Sequence, residues 1–174
     1  MASERTNNPG VELTCIFLLL LGNSTAYAAG PHSAVSSTTT LANDSYLNAG
    51  AHAMMQSHFE LGVQLTHLAL EQTLDHYERA TALSNLCAGY SQLKRFATAL
   101  AFCNQSIALD KDNWRAWLNR AAAHMGTGLV DESMQDVTRG LTLNPQAPEL
   151  QLAFKIISET AERKVERHKS LVDS

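Results

Sequence analysis

Seven histidines and three cysteines are the side chains of this chain with the most chemistry to offer. A helical zinc site would need two imidazoles at i and i+4 with an acidic or third ligand nearby. His52, His58, His67 and His76 do not show that pairing, and no carboxylate is placed to complete a set. They read as surface or helix-packing histidines, so no metal is expected. There is no glycine-rich phosphate loop, no G-x-S-x-G elbow and no pair of metal-ligand cysteines. The reading is therefore non-enzymatic: no catalytic residues and no cofactor. What remains is binding chemistry, carried by two amides that recur, Asn85 and Asn119.

These amides belong to a longer repetition. Residues 80–113 and 114–147 align without a gap at an offset of 34, with Ala82/Ala116, Asn85/Asn119 and Ala88/Ala122 identical. Size is kept where identity is lost, as in Leu83/Trp117, Cys87/Ala121, Ala99/Ser133 and Leu109/Leu143. The small residues Cys87, Ala99, Ser106, Ala121, Ser133 and Gly140 stand where two antiparallel helices must approach closely. The first copy reads Leu83-x2-Leu86-Cys87-x2-Tyr90 then Ala99-x3-Cys103; the second reads Trp117-x2-Arg120-Ala121-x2-His124, Ser133-x3-Val137 and Pro145. The segment resembles the tetratricopeptide repeat (TPR) family. That resemblance implies an all-α, right-handed helical-hairpin solenoid that holds another molecule on a concave surface.

A more divergent copy precedes these two. Tyr46, Ala49, Gly50 and Ala53 mimic a first helix, and Phe59, Gly62, Thr66, Ala69 and Leu70 a second, with three extra residues in the turn around Leu74 to Tyr77. From Pro148 to about Lys169 the apolar residues Leu150, Phe154, Ile157, Ala161 and Val165 recur at three and four, which predicts a capping helix over the last open face. About three repeats and a cap therefore occupy 45–169. The leading 28 residues differ: the apolar run Cys15 to Leu21 is too short to span a bilayer, and Ala26-Tyr27-Ala28 is a small-x-small site. They read as a signal peptide cut before Ala29, although Arg5 is their only basic residue. Residues 29–44, rich in Ser and Thr, read as a flexible linker with Asn43, Asp44 or Ser45 as helix N-cap.

Among family members that bind extended peptides, the resemblance implies that an asparagine one residue before the Leu-Gly place points into the groove and bonds the peptide backbone. Asn85 and Asn119 hold that place. Arg115 and Ser84 are expected on the same surface, with Ala88, Leu118, Ala122 and Met125 making it smooth and partly apolar, suited to a peptide with an apolar side chain. The further lysines with which chaperone-binding members clamp a terminal carboxylate are missing. Arg120 departs most, standing where the family has Leu; its stem either packs while the head snorkels out, the reading preferred here, or a carboxylate meets it. Cys87 and Cys103 face each other across one hairpin about a turn out of step, so they form a disulfide or simply fill two small sites; the offset favours filling.

A net charge of −4 offers no dense basic face for nucleic acid. The expected molecule is a protein-interaction adaptor, periplasmic or secreted from a bacterium, with a protein or peptide partner, no stable membrane span after cleavage and an undefined oligomeric state. A chaperone-like assembly factor for an envelope complex is the alternative, and a small helical enzyme or ligand-binding protein a distant third.

Overall fold

A computed structural model describes residues 38–172. The stretch 1–28 read as a signal peptide, the first part of the expected linker and Cys15 lie outside these residues. Seven helices follow one another: α1 (Thr38–Met55), α2 (Phe59–Leu70), α3 (His76–Gln92), α4 (Phe96–Leu109), α5 (Trp114–Gly126), α6 (Val130–Leu143) and α7 (Pro148–Val172). They pack as three antiparallel hairpins, α1/α2, α3/α4 and α5/α6, with α7 against α6 and α5. No strand occurs among the described residues, and no helix among them is long and apolar enough to cross a membrane.

Each hairpin turns in the same way. The first helix ends on a left-handed residue, Ser57 (φ 63°), Lys94 (φ 57°) or Gly128 (φ 79°). The next amide reaches back five residues: His58 to the Ala53 carbonyl (2.8 Å), Arg95 to Tyr90 (2.9 Å) and Leu129 to His124 (2.9 Å). This is the Schellman closure, which satisfies the last helical carbonyls and reverses the chain. Only one of the three uses glycine, the residue that adopts this φ without steric cost. The three extra residues expected around Leu74 to Tyr77 hold a capping box: the Glu78 amide donates to Asp75 Oδ1 (2.8 Å) and the Asp75 amide to Glu78 Oε2 (2.8 Å).

Helix α1 begins at Thr38, inside the stretch 29–44 read as a flexible linker. Neither Pro nor Gly stands between Pro31 and Gly50. Once Tyr46 to Ala53 is helical, nothing stops the helix from adding residues towards its N-terminus. At the other end Pro148 is the first residue of α7, where its missing N–H costs nothing.

The small residues meet where helices cross. Ala99, Ser106, Ala121, Ser133 and Cys87 are essentially inaccessible. Ser106 Oγ donates to the Ala80 carbonyl (2.7 Å) and Ser133 Oγ to Ala121 (2.8 Å), so these hydroxyls tie as well as fit. A Cβ at Gly140 would lie 2.5 Å from Leu150 Cδ2, which is why α7 seats against a glycine. The first helices touch along the array, α1 on α3 and α3 on α5, whereas α2, α4 and α6 stand apart. The closer-spaced row lies on the inside of the curve, so α1, α3 and α5 form the inner face.

Candidate functional site

The inner face is where the repeated asparagines were expected, and the two have different fates. Asn85 is half-buried. Its amide makes no hydrogen bond among the described residues, so both ends remain available to a ligand. Asn119 Nδ2 instead donates to the Ser84 carbonyl (3.1 Å) and to Ser84 Oγ (3.0 Å), spending the amide on the contact between α5 and α3. Ser84 is 3% exposed and belongs to that contact, not to a groove wall. Met125 is also corrected: it packs with Val130, Val137, Leu150 and Ile157 beneath α7, because the cap covers the face that the sequence left open. Arg115 stays exposed. Its guanidinium lies 4.1 Å over the Trp114 ring. Partial burial draws its pKa down from the usual arginine value, and the charge of Glu149 pulls it back up. Of the residues expected to line the groove, Asn85 and Arg115 are thus the polar groups still presented, with Thr81 exposed on the turn before Asn85.

On the other side of α5 the structure shows an ionic junction. Arg120 does not snorkel: its Nη2 donates to Asp136 Oδ1 (2.6 Å), its Nε to Asp136 Oδ2 (3.0 Å) and its Nη1 to Asn104 Oδ1 (2.8 Å). Asp136 is 3% exposed, and His124 Nδ1 lies 3.0 Å from its Oδ2. A buried carboxylate needs partners, and it has a two-pronged guanidinium and an imidazole. Trp117 covers the set, with the Arg120 guanidinium 4.8 Å from its ring.

The same place one repeat earlier is aromatic. At the offset of 34, Arg120, His124 and Asp136 fall on Leu86, Tyr90 and Phe102, and allowing for the three extra residues Asn104 falls on His67. Tyr90 and Phe102 stack at 5.4 Å, and His67 Nε2 lies 3.0 Å from the Tyr90 hydroxyl. Position by position a largely aromatic junction has been exchanged for a charged one. Asp136 escaped the sequence reading because it falls on an unspecified position within Ser133-x3-Val137. Its signal was available: a carboxylate at the offset of 34 from Phe102, in the copy that also replaces Leu by Arg and Tyr by His.

Cys87 and Cys103 join α3 to α4 as a disulfide, with Cα atoms 5.2 Å apart and both residues wholly buried. The expected one-turn offset is absent. The close crossing at Ala99, with Ala123 packed against the pair, sets the two residues level.

An array of three hairpins with a cap is the architecture of tetratricopeptide-repeat domains, and this chain has that fold. The first TPR domain of Spaghetti (RPAP3), solved bound to HSP90 peptide SRMEEVD, matches it with a TM-score of 0.63 and 22% identity over 72% of this chain and 99% of that domain. Among curated proteins, RNA polymerase II-associated protein 3 of Homo sapiens is 32% identical over 76 residues, 44% of this chain and 11% of the relative. Heat shock protein STI1 of Saccharomyces cerevisiae is 30% identical over 108 residues, 60% of this chain and 18% of the relative. The matches thus span between a tenth and a fifth of these relatives' lengths. No protein-family model matches the chain.

Proposed function

We propose that this protein is a non-enzymatic adaptor that binds an extended peptide or partner segment along the inner face of α1, α3 and α5. The observation that carries the reading is the Asn85 amide, half-buried on that face with its hydrogen-bonding capacity unspent. A half-exposed amide with no internal partner keeps its donors and acceptor free to pair with a ligand backbone. Likeness to a domain solved with a peptide bound supports the same reading. Arg115, carried on Trp114, would favour a segment with an acidic group beyond the stretch that Asn85 holds. A photo-crosslinking residue at Thr81 on α3 tests it in intact cells, with Gln105 on α4 as the outer-face control. Capture from Thr81 but not Gln105 is expected; capture from Gln105 alone overturns the inner-face reading.

The place of action is proposed as periplasmic or secreted, from the small-x-small site after the apolar run and from a buried cysteine pair close enough to bridge. N-terminal sequencing of the protein from its native host is expected to give Ala29. Retention of Met1 or Ala2 on a cytoplasmic species overturns it. A chaperone-like envelope assembly factor is the second reading, and it is favoured if the Thr81 probe captures many partners rather than one.

A further inference from the structure

Helix α7 outruns the array it caps. Leu150, Ala153 and Ile157 are buried and Ala161 is the last residue packed against the core, yet the helix continues to Val172. The apolar face runs on past that point: Val165, 55% exposed, and Val172, 70% exposed, follow Ala161 at helical spacing with His168 between them. The overhang from Glu162 to Val172 is about 16 Å of helix at 1.5 Å per residue. The space beside Val165 and Val172 is left open by the other described residues.

We propose that a second copy of α7 fills this space in an antiparallel, two-fold symmetric pairing. The charges bordering the seam choose that occupant. With Ala161, Val165, His168 and Val172 spaced by four, three and four as seam positions, Glu162 and Lys169 border it on one side and Lys164 on the other. In an antiparallel pair, borders of the same side face each other. Setting Ala161 against the second copy's Val172, and Val165 against its His168, brings Glu162 opposite its Lys169, twice by symmetry. Sliding one heptad sets Glu162 against Glu162, and sliding the other way Lys169 against Lys169. A parallel pair brings Lys164 beside Lys169. One orientation and one register therefore satisfy the pattern, the kind of self-complementarity that specifies helix pairing. Each helix end abuts the other copy's array near Ala161, where the core would otherwise be open.

Sedimentation equilibrium of the full chain tests the proposal, with Glu162→Lys, Lys169→Glu and the double variant. The wild type is expected to show a reversible monomer–dimer equilibrium. Each single change places like charges opposite twice and is expected to raise the dissociation constant about tenfold. The double change restores opposite charges and is expected to return it to within about twofold of wild type. A wild-type chain monomeric up to about 1 mM overturns the proposal, as does a dimer that neither single change weakens. If the chain is monomeric and Val165→Asp opens the segment before Thr38 to protease, the face belongs to the chain's own N-terminal segment and the pairing is overturned.

Discussion

Asp136 shows how one side chain sets the terms for its neighbours. Its carboxylate is buried because α6 packs close to α5 at Ser133, and Arg120 meets it there with two donors. Removing the carboxylate strands a guanidinium that is only 21% exposed. Asp136→Ala is therefore expected to destabilise by about 3 kcal/mol in urea unfolding. Installing the previous repeat's set, Arg120→Leu with His124→Tyr and Asp136→Phe, is expected to recover most of that loss, since apolar groups of suitable shape often replace a buried ion pair without penalty. The asparagines separate in the same assay. Asn119→Ala loses two bonds to Ser84 and is expected to cost about 1 kcal/mol of stability. Asn85→Ala is expected to leave the unfolding midpoint in place and weaken a crosslinked partner by about 1 to 3 kcal/mol, measured by titration with that partner.

At the scale of the element, three turns share one backbone closure with three different residues at its left-handed position. The geometry is imposed by the pairing of the helices, not chosen by the residue. Lys94 holds φ 57° against the preference of its side chain. Lys94→Gly is expected to stabilise by roughly 0.5 to 1 kcal/mol, the relief being partly offset by glycine's greater unfolded-state entropy. Gly128→Ala is the converse. A Cβ there meets no atom within 4 Å, so its expected cost of about 1 kcal/mol is backbone strain alone. Thermal unfolding of the two variants checks both signs.

For the whole molecule, the disulfide and the cap act on the two weak points of any short array. A hairpin in the middle of three has neighbours on both sides, and opening it would split the core; Cys87 and Cys103 bridge that hairpin across a separation of 16 residues. Closing a loop of that length contributes about 3 kcal/mol in the chain-entropy model. Cys87→Ala with Cys103→Ala is expected to lose about that much relative to the oxidised protein, and dithiothreitol is expected to lower the wild-type midpoint but not that of the variant. Alkylation of unreduced, denatured protein followed by mass spectrometry should yield the bridged peptide; two blocked thiols would remove the redox argument for an exported protein. The cap closes the far end through Leu150 against Gly140, then leaves its own last turns uncovered.

The hairpin array was legible in the residues themselves. An ungapped offset of 34 with small residues at fixed places is a one-dimensional pattern, and a solenoid is built by contacts between near neighbours in sequence, so the pattern suffices to fix which helices pair. The apolar spacing after Pro148 likewise fixed a closing helix, because periodicity records which face of a helix is buried. Tertiary packing decided which side chains of the inner face are free. Asn85 and Asn119 occupy equivalent places, yet only Asn119 has Ser84 across from it, and the sequence holds no distance between them. Met125 looked accessible until α7 covered it, and Arg120 looked solitary until α6 brought Asp136 within 2.6 Å. The two cysteines were at the edge of bridging distance on helix geometry alone, and the local crossing of α3 and α4 brought their Cα atoms to 5.2 Å. Sequence period dictates which elements meet; the angle and closeness at which they meet, set by packing of small residues, dictate which polar groups are left for a partner.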